Sequence, residues 1–327
     1  MLYEDMIYGT TEITEPVVLE LINCPSLQRL KGIDQAGYFH PYFKAIPRSR
    51  FNHSLGVYLL LKKYGAPLEE QLSGLLHDVS HGAFSHCLDY VLEGGNQKEQ
   101  SHQDNIFESF IKKTEIPDIL KKYNMDIDHI VDDIHFPLKE TTLPDLCADR
   151  IDYSLRDAWH LGELSHEDIR LILNHLMVKD TKRIFTDLES AKIYATLFHK
   201  MNEKYYAGIE SAAMYQTVGD CLKCAWKKGY INIDDIYMTD KHVLDKITAH
   251  VDTDDQLSLY RQRMNNLIPF KNDPDNFDFQ LFCKSRMVDP LFMDGDDIKR
   301  ISEVDEGWKS RIQKSSPAKE YFLKFER

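Results

Sequence analysis

The stretch Leu76-His77-Asp78-Val79-Ser80-His81-Gly82-Ala83-Phe84-Ser85-His86 gathers three imidazoles and a carboxylate into eleven residues. It follows directly on Leu68, Leu72, Leu75 and Leu76, whose three- and four-residue spacing predicts a helix with one apolar stripe. Gly82 is a natural break, so the His77-Asp78 pair falls at a helix end. A further helix is expected over roughly Phe84 to Glu93, stopped by Gly94-Gly95, and another from near His102.

Upstream, the run from His53 to Tyr64 reads as a helix ended by Gly65, with His53, Gly56, Val57, Leu60, Leu61 and Tyr64 on one face, so that His53 points inward. Downstream, a polar, acidic stretch around Asp126 to Asp133 leads into a helix over Leu143 to Leu161. There Asp149, Asp152, Tyr153 and Arg156 recur every three or four residues and share a face. Met177 to Thr186 reads as a short hairpin turning at Asp180-Thr181-Lys182, followed by a long helical run to about Lys228. Beyond Gly229 the pattern shortens, with helices near 233–249 and 253–267 and a strand around Ser285 to Val288. The expected fold is all-α with a small β-hairpin: a catalytic core over 1–228 and a mixed C-terminal lobe over 229–327, packed together because no Gly/Ser linker separates them.

Composition narrows the function classes. The 327 residues are 43% hydrophobic and carry 40 Lys and Arg against 53 Asp and Glu, a net charge of −13. Intrinsic disorder is excluded for most of the chain. The acidic balance, with no long basic run, argues against broad nucleic-acid binding, so an anionic ligand needs a local cluster of cations. No stretch reaches the roughly 18 apolar residues of a membrane span, and the acidic start has no signal-peptide core. Six scattered cysteines suggest reduced thiols, and a cytoplasmic location is expected. Cys221-Leu222-Lys223-Cys224 has CxxC spacing but no second pair, and reads as helix core.

Imidazole and carboxylate together suit divalent iron, manganese or similar ions. His53 taken alone reads as a hydrogen-bonded core histidine. With His77, Asp78 and an inward Asp on a later helix it can instead complete four ligands from three helices, leaving positions open for water and substrate.

The runs Arg48-Ser49-Arg50-Phe51-Asn52-His53-Ser54-Leu55-Gly56, Leu76 to His86 and Asp149-Arg150-Ile151-Asp152-Tyr153 resemble the HD-domain phosphohydrolases, most of all the deoxynucleoside triphosphate triphosphohydrolase branch. The similarity runs from about Tyr8-Gly9 to His199 and covers the remainder poorly. It implies that His53, His77, Asp78 and Asp149 ligate a divalent metal (Mn, Fe, Mg or Ni). It places His81 beside the substrate phosphates and His86 as proton donor, with Asp89 and His102 as a neighbouring pair whose carboxylate orients the histidine. Arg50, Arg150 and Tyr153 fall on triphosphate contacts, and Gln35 and Asp157 on sugar contacts. Guanidinium groups suit phosphate oxygens. Arg156 reads equally as a helix-surface partner of Asp152.

Several positions depart from the branch. Gln103 replaces a glutamate, and Met201, Tyr205 and Ile209 stand where its human member has arginine, histidine and tyrosine. Ala36 replaces a leucine beside the sugar, and Asn23 and Lys31 replace an aspartate and an arginine of an activator site. The resemblance implies a homo-oligomeric enzyme cleaving nucleotides to nucleoside and triphosphate. An HD phosphatase or phosphodiesterase with another phosphorylated substrate, and a nucleotide-binding regulator with a degenerate site, stay open.

Overall fold

The computed structural model describes residues 1–45, 48–92, 100 and 102–326. Strands β1 (Leu2–Asp5) and β2 (Gly9–Glu12) form an antiparallel hairpin, followed by α1 (Pro16–Ile22) and α2 (Pro25–Arg29). Helix α3 (Arg50–Lys63) begins on Ser49, whose hydroxyl accepts from Asn52 N, and ends before Gly65 at φ +71°. Helix α4 (Leu68–Leu76) delivers the His-Asp pair at its C-terminal end. Then come α5 (His102–Ile111), α6 (Ile116–Lys122), α7 (Ile127–Val131), α8 (Ala148–His160) and α9 (His166–Asn174). The expected hairpin is β3 (Leu176–Lys179) and β4 (Lys182–Phe185), with Asp180 and Thr181 both at positive φ in the two-residue turn. Helix α10 (Leu188–Met201) passes through a π-helical turn, Asn202–Tyr206, into α11 (Ile209–Lys227).

The rest of the chain comprises α12 (Ile233–Ile236), α13 (Asp240–Val251), α14 (Asp255–Met264), β5 (Phe270–Asn272), β6 (Phe279–Cys283), β7 (Leu291–Asp294), β8 (Asp297–Arg300), α15 (Ile301–Val304), α16 (Glu306–Ser315) and β9 (Lys319–Phe325). Among the described residues the strands make three sheets: β1-β2, β3-β4-β7-β8 and β5-β9-β6.

The fold is therefore mainly helical rather than all-α. Strand β4 pairs in parallel with β7, Ile184 against Leu291, so one sheet joins residues on both sides of position 228. The N-terminal hairpin had no apolar alternation to announce it. Residues 284–290 carry no strand; Arg286 N donates instead to the Asn202 side chain, and the ladders lie on either side in β6 and β7. The helix expected from Leu143 starts only at Ala148. Pro144 disfavours helical backbone at Leu143, and Cys147 supplies the N-cap through its sulfur. The helix expected from Phe84 is a 3₁₀ turn, Ser85–Tyr90, because Phe84 and Ser85 sit at φ +61° and +47°, a left-handed start from which an α-helix does not propagate. Its expected end at Gly94-Gly95 lies outside the described residues.

Helix α3 organises the core. It is buried on almost every side, with Val57, Leu60 and Leu61 in one apolar cluster and Phe51, Leu55, Tyr58 and Leu59 in a second. It packs between α4 and α8, which brings His53, the His-Asp pair and Asp149 to one place. The first cluster continues through Tyr90 and Met214 into Cys283, Met287, Phe292 and Phe325, so the C-terminal elements share the core of α3 and α8. All six cysteines are free and buried, Cys221 and Cys224 within α11. No helix among the described residues is long and apolar enough to cross a membrane.

Asp240, the first residue of α13, ties the C-terminal elements to the turn carrying His86. Its carboxylate accepts from Phe84 N at 2.7 Å and from Asp34 N at 2.8 Å. Asp240→Ala strips both donors of their acceptor, and the expected loss is about 1–3 kcal/mol for each donor left unsatisfied. Urea unfolding measures it; an unchanged midpoint would show that neither bond is needed.

Candidate metal centre and phosphate pocket

His53 and His77 are aimed by their Nδ1 atoms. His53 Nδ1 meets Asp152 Oδ2 at 2.7 Å, and His77 Nδ1 meets the carbonyl of Gly74 at 2.7 Å. A carbonyl only accepts, so His77 Nδ1 carries a proton, and neutral His77 presents its lone pair at Nε2. The carboxylate of Asp152 fixes His53 in the same sense. The two Nε2 atoms lie 3.2 Å apart, and Asp149 Oδ1 stands 2.8 Å from one and 3.6 Å from the other. Asp78 Oδ1 is 3.5 Å from His77 Nε2 and its Oδ2 is 3.9 Å from His53 Nε2. His53, His77 and Asp149 thus offer ligand atoms that all lie within 4.8 Å of one another, while Asp78, held by Arg50, flanks the two imidazoles; lone pairs so close repel unless a cation or a proton lies between them. The donor set fits a divalent ion.

The two carboxylates favour positive charge at this point. Burial disfavours a charged His53, but the hydrogen bonds it donates to Asp149 and Asp152 overcome it and push the pKa up to about 10, so a cation bound at Nε2 would displace a proton. Burial likewise opposes ionised Asp149, yet the two histidines hold its carboxyl well below the usual range. Asp78 is kept ionised against burial chiefly by Arg50, whose Nη1 reaches both carboxylate oxygens at 2.9 and 2.8 Å.

Behind His53 stands a buried ion network. Arg156 donates through Nε and Nη2 to Asp152 at 3.0 and 2.9 Å, and its Nη1 lies 3.2 Å from Asp5. Arg156 is 1% exposed, so its pair with Asp152 is an interior clamp and not a helix-surface contact. Asp5 also accepts from Ile7 N and Tyr8 N, which closes the turn of the N-terminal hairpin. Gly56 makes room: a Cβ there would lie 2.1 Å from Asp152 Oδ1 and 2.2 Å from Arg156 Nη2.

A cavity of about 860 Å³ opens over the four donors and is lined by Gln35, Arg50, His77, Asp78, His81, His86, Asp149, Arg150, Tyr153 and Asp157. The rings of His81 and His86 meet edge to face at 5.2 Å. Burial, reinforced by Arg50, keeps the His81 pKa well below the usual histidine value. Burial also lowers that of His86, against the pull of Asp89. Arg150 is braced by the carbonyls of Asp145 and Thr141 at 2.6 and 3.2 Å, and Asp157 is ion-paired with Arg48.

The expected Asp89–His102 pair takes another form. Asp89 accepts from the backbone N of His102 at 3.0 Å, while the His102 ring turns to the Tyr237 hydroxyl at 3.3 Å and is not part of the lining. Asp89 Oδ2 lies 3.8 Å from His86 Nδ1 instead. Ala36 lines the cavity; Met201, Tyr205 and Ile209 do not. Lys139, Glu140, Asp104, Tyr206, Lys284 and Arg286 also line it, and nothing in their local sequence singled them out.

Comparison with known proteins agrees with this geometry. Residues 50–157, which span α3 through most of α8, match the HD domain family. The chain is 37% identical to the uncharacterized protein YdhJ of Bacillus subtilis, covering 90% of each chain. It is 37% identical over 201 residues to the metal-dependent phosphohydrolase cns2 of Cordyceps militaris, covering 60% of this chain and 57% of that one. It is 27% identical over 252 residues to the deoxynucleoside triphosphate triphosphohydrolase SAMHD1 of Gallus gallus, covering 61% and 41%. The chain thus spans about half the length of the latter two relatives. It belongs to the HD-domain family of metal-dependent phosphohydrolases.

A helical Gly→Ala change ordinarily gains about 0.5–1 kcal/mol. At Gly56 the clash with Asp152 reverses the sign, and Gly56→Ala is expected to destabilise by about 1–3 kcal/mol in thermal or denaturant unfolding. A stabilised variant would mean that the Asp152–Arg156 clamp yields freely.

Proposed function

We propose that the chain is a nucleotide phosphohydrolase, most specifically a (deoxy)nucleoside triphosphate triphosphohydrolase that releases nucleoside and triphosphate. The observation that carries this reading is the convergence of His53, His77 and Asp149, flanked by Asp78, beneath a cavity walled by His81, His86, Arg50, Arg150 and Tyr153. In this reading residues 1–228 carry the chemistry and residues 229–327 wall the pocket.

A divalent cation held by the four donors supplies Lewis acidity and lowers the pKa of water. Asp152 and the Gly74 carbonyl keep the imidazole lone pairs aimed at it. Arg50, with Nη2 buried and lacking a protein partner, and Arg150 hold phosphate oxygens as negative charge develops on them. Water gives up a proton to solvent as its oxygen bonds to the α-phosphorus, the P–O5′ bond breaks, and the departing oxygen takes a proton from His86, which solvent then restores. Burial keeps His86 neutral in the free protein, but an arriving polyphosphate raises its pKa and protonates it for that task. Gln35 and Asp157 meet the sugar.

A second reading, a phosphatase or phosphodiesterase acting on another phosphorylated compound, is favoured by Met201, Tyr205 and Ile209, which bring no polar group to the lining. A panel of nucleoside tri-, di- and monophosphates under Mn²⁺, Fe²⁺ and Mg²⁺, with products separated by chromatography, decides between them. Release of intact triphosphate supports the first reading and stepwise loss of orthophosphate the second.

His77→Ala is expected to abolish both bound metal, read by atomic spectroscopy, and turnover, in a protein that stays folded. Retained metal would remove His77 from the ligand set. His86→Ala is expected to keep its metal and lose about 10²–10⁴-fold in kcat, the range of a positioned general acid. Metal loss in proportion to rate would make His86 a ligand or a structural residue.

A further inference from the structure

We propose that Arg286, supplied by the C-terminal part of the chain, is a substrate-binding residue that grips phosphate groups beyond the one being cleaved, so that the segment after β6 sets the preferred phosphate length. The inference rests on the hydrolytic reading above and extends it to a residue outside the region matched by the HD domain family.

The segment is built into place. Asn202, fully buried in the π-helical turn, uses both ends of its amide on two successive residues. Oδ1 accepts from Arg286 N at 2.9 Å and Nδ2 donates to Ser285 Oγ at 2.9 Å. Ser285 Oγ donates onward to the carbonyl of Ser315 at 2.5 Å, and Cys283 Sγ reaches the carbonyl of Tyr206 at 3.3 Å. On the far side Met287 and Val288 are sunk in the core. A one-residue slip would break both Asn202 bonds and expose Met287 or Val288, so the register is fixed.

The side chain turns into the cavity, where Nη2 donates to Gln100 Oε1 at 3.3 Å. Burial lowers the pKa of His86 and raises that of Tyr153, the Arg286 charge adding a smaller downward pull on each, and all three residues line the one cavity. Arg50 and Arg150 line the same cavity, as do the acids Asp104, Glu108, Asp132 and Asp133. A forked guanidinium on a fixed backbone suits a tetrahedral oxyanion. The turn from α10 to α11 thus serves the cavity twice, through Tyr206, which lines it, and through Asn202, which holds the backbone that delivers Arg286 from another part of the chain.

The test uses the full-length, Mn²⁺-loaded protein and calorimetric titration with inorganic triphosphate and with orthophosphate. Arg286→Gln is expected to weaken triphosphate binding about 10- to 100-fold and to leave orthophosphate within about twofold. Arg286→Lys is expected to fall between, and it serves as the reading if the glutamine variant does not fold. With a nucleoside triphosphate the loss is expected in KM, with kcat within about threefold. Unchanged triphosphate binding, equal weakening of both anions, or no triphosphate binding by the wild type overturns the proposal. If the wild type binds triphosphate selectively through Arg286 but hydrolyses no nucleotide, the catalytic reading fails and the binding site stands. If it hydrolyses nucleotides and Arg286→Gln changes nothing, only the Arg286 proposal fails.

Discussion

His53 owes its aim to a line of alternating charge that runs from the N-terminal hairpin to the metal centre: Asp5, Arg156, Asp152 and His53 itself. Each member is buried, and each would be intolerable there alone, since an ion taken from water without a partner costs several kcal/mol. Removing one leaves its neighbour uncompensated, a change that ordinarily costs about 3–5 kcal/mol. The hairpin, α8 and α3 are therefore bound together by the same contacts that set a histidine tautomer. Stability and site geometry share their residues.

The second organising feature is the division of charge within the cavity. The protein is acidic as a whole and so is the lining, where Arg50, Lys139, Arg150, Lys284 and Arg286 stand among nine carboxyl groups. Two of those acids are softened. Burial raises the Asp104 pKa to about 6, with Asp149 and Asp78 adding to it against Lys284, and burial together with Asp149 raises that of Glu140 to about 7. Both carboxyls thus hold a proton more readily than an exposed carboxyl does.

What could be read from the sequence follows from how local each signal is. Helices α3 and α4 announce themselves through leucine spacing and a terminating glycine, and the His-Asp pair at the end of α4 gave both the family and the neighbourhood of the site. His53, His77 and Asp149 come within reach of one another, with Asp78 beside the two imidazoles, and for His53 and Asp149 helical periodicity decides which way they face. The remainder depended on partners distant in the chain. Asp152 and Arg156 read equally as a surface pair, since spacing alone does not say which side of α8 lies beneath Asp5 and Gly56. Phe84 and Ser85 broke an expected helix through left-handed backbone angles with no glycine to signal them, in a turn held by Asp240 about 155 positions on. Arg286 sits in a stretch of unremarkable composition and gains its meaning from Asn202. His102 shows the converse: its motif position drew it toward the site, but Asp89 holds its backbone and Tyr237 its ring.

The parallel pairing of β4 with β7 bears on how the molecule is made. Ile184 waits for Leu291, and the strand that follows Arg286 is the one that closes this sheet. Contacts so far apart in the chain form late, after loop-closure entropy has been overcome. During synthesis α3, α4 and α8 emerge well before that closure, so the metal donors can be assembled while one wall of the cavity is still within the ribosome. A nascent chain at that stage would hold a cation beneath an open hollow. The side of the cavity lined by Lys284 and Arg286 arrives last, just ahead of the strand that joins the sheet.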